Sequence, residues 1–169
     1  MLVSTFTQVT QLEEAIIKNA EASFEVLKEY SATTDAMHFF TAIKFTKLGK
    51  DPITGKALNL IEQINQTYSN LVTLAAVRDL LRRYPEKSFL LNLGAKAGYD
   101  VQSTDGEVVA ECFAVTSVSS NDKMNKDCKK LRLSKAKYKY IYFQSNEDSE
   151  QALQNRYKKY PDFHFERVR

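Results

Sequence analysis

The dipeptide Asp105-Gly106 constrains the fold of this chain more than any other feature of its sequence. It lies between two runs of strand-forming residues, Tyr99–Ser103 and Val108–Thr116. An Asp-Gly pair between such runs is typical of a β-hairpin with a two-residue loop. Because a loop of this length sets the register, we predict an antiparallel pair in which every residue of one strand has a defined partner on the other.

This register places two carboxylates, Asp100 and Glu111, directly opposite each other. Like charges in that arrangement destabilise a sheet, and Glu111 also shares its strand face with the apolar Val109 and Phe113. A divalent cation between the two acids would relieve the repulsion, since Mg²⁺ binds one or two carboxylates and completes its shell with water and phosphate. The alternatives are a surface hairpin with both acids solvated, or a register shifted by a bulge.

The net charge of +3 conceals a strongly basic segment. Residues 1–85 carry nine basic and nine acidic groups, so the whole excess lies in the second half of the chain. Within residues 123–139 eight basic groups accompany a single acid, Asp127. Such a segment is either a solvated face or a surface for the phosphates of a nucleic acid.

Hydrophobic periodicity predicts helices in the first half of the chain and a mixed sheet in the second. We predict helices over Thr10–Tyr30, Ala57–Tyr84, Asp122–Leu133 and Asp148–Tyr160, and a further helix that begins at a cap on Thr33 or Thr34 and ends at about Leu48. Strands are expected at Ser88–Leu93, Tyr99–Ser103, Val108–Thr116 and Tyr138–Phe143, with an edge strand at Phe163–Val168. The fold class is therefore α/β, a mixed central sheet behind a helical N-terminal part. Residues 1–56 would pack as helices on a core formed by 57–169, in one compact domain overall.

Several classes of protein are excluded by simpler features. The first residues have neither a basic nor an apolar segment of the kind found in a secretory signal, and no apolar run is long enough to span a membrane. Two cysteines, Cys112 and Cys128, make neither a disulfide scaffold nor a four-ligand zinc site. We therefore expect a cytoplasmic protein that does not bind a membrane.

The hairpin and the helix after it resemble the PD-(D/E)XK nuclease superfamily, which has the restriction-endonuclease-like fold. The resemblance is carried by Gly98–Val101, Ala110–Ala114 and Asn121–Lys123, and it covers about Val72 to Phe143. It implies an α-β-β-β-α-β core that binds DNA. The motif is short and degenerate, so the order of helices and strands around it carries more weight than the letters.

Transferred residue by residue, the resemblance implies a metal site. Asp100 would match the first metal-binding acid, Glu111 the acid of the E-x-K element, and the main-chain carbonyl of Cys112 a third ligand. A further acid often comes from the helix before the sheet, where Asp79 is the candidate and Glu62 a weaker one. The implied cofactor is Mg²⁺ or Mn²⁺.

The sequence departs from the family pattern at Phe113, which stands where the motif lysine is expected. Some members take this lysine from the following helix, which here begins with Lys123. We expect Lys123 to assist catalysis, while Lys126, Lys129 and Lys130 contact nucleic-acid phosphates.

The leading hypothesis is a Mg²⁺-dependent endodeoxyribonuclease that hydrolyses phosphodiester bonds, with Asp100, Glu111 and Lys123 as catalytic residues. Duplex cleavage needs two such sites, so a homodimer is expected. The alternative is a non-catalytic DNA-binding or assembly protein on a degenerate nuclease fold, which Phe113 favours. A third possibility is a small α/β protein that uses its helical half to bind a partner.

Overall fold

The computed structural model describes residues 1–94, 97–117, 122–147 and 150–168. The helices within these ranges are α1 (Phe6–Thr33), α2 (Ala36–Phe45), α3 (Leu60–Arg83), α4 (Lys123–Arg132) and α5 (Glu150–Lys159). The strands are β1 (Leu2–Val3), β2 (Gly49–Lys50), β3 (Ala57–Leu58), β4 (Phe89–Leu91), β5 (Val101–Ser103), β6 (Val108–Ser117), β7 (Tyr138–Glu147) and β8 (Phe163–Arg167).

Six of these strands form one mixed sheet in the order β1-β4-β5-β6-β7-β8. The pairs from β1 to β6 are antiparallel, whereas β6, β7 and β8 run parallel to one another. The mixed α/β class and the edge strand β8 are confirmed. Strand β1 was not predicted, because two residues are too few to show an alternating pattern.

The hairpin has the predicted register, but the predicted two-residue loop is wrong. Residues 104–107 form a four-residue loop, in which the Gly106 amide donates to the Ser103 carbonyl. Val101 pairs with Ala110 and Gln102 with Val109, which places Asp100 and Glu111 at the next opposed position. Gly106 takes a φ of 75°, a left-handed conformation that few residues other than glycine adopt readily.

Two apolar layers cover the sheet. The side chains of β6 alternate between them, with Ala110 and Cys112 packed on the side of α3 and Val109 and Phe113 on the side of α4 and α5. Glu111 therefore emerges from the strand between two apolar residues of the second layer.

The predicted apolar stripe of α4 is confirmed. Met124, Cys128 and Leu131 are all fully buried against the sheet. Docking of this stripe determines which other side chains of α4 face β6.

The N-terminal helices differ from prediction at their ends. Helix α1 begins at Phe6, because Thr5 and Gln8 form a capping box that the analysis of periodicity did not use. Residues Ala57–Leu58 pair with Gly49–Lys50 instead of beginning α3, which is capped by Asn59. Helix α1 packs against α3.

Helix α2 ends at Phe45 instead of continuing to Leu48, because Thr46 is already in an extended conformation. Asn121 of the nuclease-like motif and Asp148, the predicted start of α5, lie outside the described residues. Within the described ranges, no helix combines the length and the apolar character needed to cross a membrane.

Candidate functional site

The site is centred on Asp100, which directly precedes β5, and on Glu111 in the middle of β6. Glu111 is only 1% exposed, and the register of the hairpin places its carboxyl group opposite that of Asp100. Oδ2 of Asp100 also accepts a hydrogen bond of 2.8 Å from the main-chain amide of Cys112. The short hairpin thus holds two acids together where the sequence predicted them.

Both carboxyl groups resist ionisation. Burial and then the charge of Asp100 raise the pKa of Glu111 to about 8, although Lys130 acts in the opposite direction. Burial also raises the pKa of Asp100, against the lowering effects of the Cys112 amide and of Lys123 and Lys130. The pair is therefore most stable when it shares a proton or binds a cation.

Helix α4 turns three charged residues toward this pair. Lys123, Asp127 and Lys130 follow a spacing of four and three residues, which puts them on one helix face. Nζ of Lys130 lies 2.5 Å from Oε1 of Glu111, off the direction of a regular hydrogen bond, and also donates to the carbonyl of Gly98. Lys130 was predicted to contact nucleic acid, but it lies against the carboxylate pair.

Lys123 lies on the other side of the pair. Its Nζ donates a 2.8 Å hydrogen bond to Oδ1 of Asp127 and lies 5.9 Å from the ring centroid of Phe113. Burial by itself would lower the pKa of Lys123, but the hydrogen bond to Asp127 and the nearby carboxylates outweigh it and raise the pKa. Lys123 is therefore a protonated donor beside the acids.

Asp127 is the site residue that the sequence analysis missed. It is 4% exposed, and its Oδ2 has no hydrogen-bond donor in the described part of the chain. Burial raises its pKa, against the lowering effect of Lys123. The signal was present, since Asp127 is the single acid in a basic segment and lies on the same helical face as Lys123.

Other candidate residues lie elsewhere. Lys126 and Lys129 are exposed on the outer face of α4. Asp79 accepts a 2.6 Å hydrogen bond from the Tyr142 hydroxyl and pairs with Arg83 at 2.7 Å, and Glu62 is exposed in the first turn of α3. Among the described contacts, neither Asp79 nor Glu62 therefore joins Asp100.

The oxygen atoms at the site can be compared with the ligands that a divalent cation needs. No group of three or more His, Cys, Asp or Glu side chains encloses a cation position within the described ranges. Mg²⁺, however, needs only one or two carboxylates, with water filling its other positions. The opposed carboxyls of Asp100 and Glu111 meet this need, although the Lys130 ammonium already lies against Glu111 Oε1 and would share that oxygen with the cation.

Solvent reaches the site through a cavity of about 280 Å³ on the α3 side of the sheet. Asp100, Cys112 and Lys123 line one wall, and α3 supplies the opposite wall with uncharged polar side chains. A phosphate group entering this cavity would therefore meet a carboxylate and an ammonium group together.

No family model, curated protein or solved structure matches this chain.

Proposed function

We propose that the protein is a metal-dependent endodeoxyribonuclease of the restriction-endonuclease-like type. The observation that carries the proposal is the placement of Asp100 opposite the buried Glu111 in the hairpin, with Lys123 lining the same cavity as Asp100. Two buried acids placed opposite each other are costly even with the Lys130 ammonium against Glu111, which supports a role for them in function.

Asp100, Glu111 and the main-chain carbonyl of Cys112 would hold the Mg²⁺ ion. When bound, this ion would lower the pKa of a coordinated water and offset charge on the phosphate. The hydrogen bond from the Cys112 amide to Asp100 orients that carboxylate. Lys130 balances part of the negative charge of Glu111.

Lys123 would supply the function of the lysine absent at Phe113. Its ammonium would donate a hydrogen bond to the attacking water or to a phosphate oxygen as negative charge develops. Asp127 keeps it protonated and limits its orientations. The exposed Lys126 and Lys129 would contact flanking phosphates.

A homodimer remains part of this proposal, because cutting both strands requires two sites. The side chains of Met37, Phe40, Phe45, Ile61 and Ile64 on α2 and α3 are 45–73% exposed. They present on the order of 500 Å² of apolar surface, taking roughly 150–250 Å² for a fully exposed large side chain. A second copy suits this surface, because a homodimer interface of about 800 Å² per partner is about 65% apolar.

The second candidate is a non-catalytic DNA-binding or assembly protein on a degenerate nuclease fold. Phe113 favours it, and so does the engagement of Lys123 by Asp127. The two functions differ in a measurement of metal-dependent strand cleavage.

The experiment is cleavage of supercoiled plasmid with Mg²⁺, Mn²⁺ or EDTA. Glu111→Gln should abolish Mg²⁺-dependent cleavage, whereas the matched variant Glu14→Gln at an exposed position of α1 should cleave like the wild type. Cleavage that persists in purified Glu111→Gln would overturn the assignment. DNA binding without cleavage by the wild type would support the second candidate.

A further inference from the structure

A polar groove runs beside the proposed catalytic site, between α3 and the carboxyl ends of β6 and β7. It consists of the 280 Å³ cavity at Asp100 and an adjoining cavity of about 530 Å³, with Asn65 lining both. The larger part is bounded by Tyr68 on α3, Thr116 on β6 and Gln144 on β7. The groove thus leads directly away from the carboxylate pair.

The lining of this groove is rich in carboxamide side chains and poor in charge. Asp100 and Lys123, at its catalytic end, are its charged lining residues among those described. Five of the amide side chains in the lining make no hydrogen bond within the described ranges: those of Asn65, Gln66, Asn70, Gln144 and Asn146. Amides elsewhere in the fold are used, since Asn19 donates to the carbonyl of Pro52 and Gln63 accepts from the amide of Lys50.

Asn70 is the most informative member of this set. It is 7% exposed and lines the cavity next to Asp100, yet its side chain has no hydrogen-bond partner in the described part of the chain. Its amide atoms are not among the buried polar atoms cut off from solvent, so they open into the cavity. A ligand that enters would therefore meet their donors and acceptors without first breaking a hydrogen bond inside the protein.

We propose that this groove binds an unpaired nucleobase of the strand whose phosphodiester lies at Asp100 and Lys123. The proposal rests on the nuclease function and defines its substrate class. A base is neutral and carries donors and acceptors along its edges, as the carboxamides do. Phosphate instead selects lysine and arginine, which the groove has only at its catalytic end.

The depth of Asn70 distinguishes an unpaired base from a paired one. In a duplex the Watson–Crick edge of a base is occupied by its partner, and the base is held in the stack. A nucleotide that has left the stack can enter a pocket and present that edge to side chains. The ring of Tyr68, half exposed in the outer part of the groove, offers a face for stacking. The preferred substrate is therefore DNA with a bulged, flipped or single-stranded nucleotide beside the cut.

Fluorescence anisotropy in EDTA tests this inference without cleavage. Two labelled 20-base-pair duplexes are compared, one fully paired and one with a single bulged nucleotide. Wild type should bind the bulged duplex about tenfold more tightly, the scale of one stacked and hydrogen-bonded base. Asn70→Leu, and separately the Asn65→Ala/Gln144→Ala double variant, should reduce this preference to within about twofold while leaving affinity for the paired duplex unchanged.

Gln11→Ala, an exposed amide on α1, is the matched control and should keep the full preference. Circular dichroism establishes that the variants fold, and the double variant provides the test if Asn70→Leu does not. Equal wild-type affinity for the two duplexes, or a preference retained by the folded groove variants, would overturn the inference. A bulge preference in a protein that cuts no DNA would support the base site while overturning the nuclease proposal.

Discussion

Lys123 on α4 holds its ammonium 5.9 Å from the ring centroid of Phe113 on β6. In the proposed nuclease assignment Phe113 would stand at the position of the motif lysine, and the ammonium of a lysine from the next helix lies near its ring. The aromatic ring fills the apolar layer beneath α4, and the ammonium remains at the cavity that contains Asp100. The hypothesis that Lys123 supplies the function of the lysine absent at Phe113 can therefore be tested by mutation.

The first prediction concerns Lys123. Lys123→Met should lower Mg²⁺-dependent cleavage by about 100-fold, the scale for losing one donor to developing negative charge. Because Lys123→Met also leaves the buried Asp127 without its hydrogen-bond donor, circular dichroism must show that the variant is folded before its activity is compared. Lys18→Met, at an exposed position of α1, should stay within about threefold of wild type in the same assay. Equal effects of the two substitutions would show that Lys123 has no special role.

The second prediction concerns Asp127, which accepts a hydrogen bond from Lys123. Asp127→Asn should lower kcat by about tenfold with little change in KM, because Asp127 acts on Lys123 and does not bind substrate itself. In a double-mutant cycle, adding Asp127→Asn to Lys123→Met should cause little further loss. Additive losses would indicate that Asp127 acts independently of Lys123.

The third prediction concerns pH. The pKa of Glu111 in the folded protein, about 8, lies above the value near 4.3 of an unfolded chain. Between these values the unfolded state binds fewer protons than the folded state, so the metal-free protein loses stability as pH rises from about 4 to about 8. Glu111→Gln should remove this loss and raise Tm at pH 8 by about 5 °C, measured by calorimetry in EDTA.

Millimolar Mg²⁺ provides the control for this prediction. It should raise Tm of the wild type at pH 8 but not that of Glu111→Gln, because binding to the folded state alone stabilises it. A metal-free wild type that is equally stable at pH 5 and pH 8 would contradict the prediction.

The fourth prediction concerns phosphate contacts. Neutralising Lys126 and Lys129 together as Lys126→Gln/Lys129→Gln should reduce the slope of log K against log salt for duplex DNA by about 2. Lys18→Gln/Lys28→Gln on α1 removes the same charge away from the site and should leave the slope unchanged. Equal reductions in both double variants would point to a non-specific charge effect.

The fifth prediction concerns the dimer. Phe40→Glu combined with Ile64→Glu places like charges in the exposed apolar surface of α2 and α3. Light scattering coupled to size exclusion should show a dimeric wild type and a monomeric variant. Lys18→Glu/Lys28→Glu on α1 is the matched control and should stay dimeric. A monomeric wild type at micromolar concentration would contradict the homodimer.

The hairpin shows what local sequence can predict. The Asp-Gly signal predicted the right register, and with it the pairing of Val101 with Ala110 and the meeting of Asp100 and Glu111, although the loop has four residues instead of two. The apolar stripe of α4 was equally predictable, because helical periodicity alone places Met124, Cys128 and Leu131 on one face.

The amino-acid sequence by itself therefore determined the mixed α/β class, the hairpin and the paired acids. The tertiary structure alone decided that β1 joins the sheet beside β4, that Lys130 lies against Glu111, and that Asp127 anchors Lys123. The physical reason is that the docking of α4 on the sheet orients its charged face, and long-range packing, which local periodicity does not specify, determines that docking.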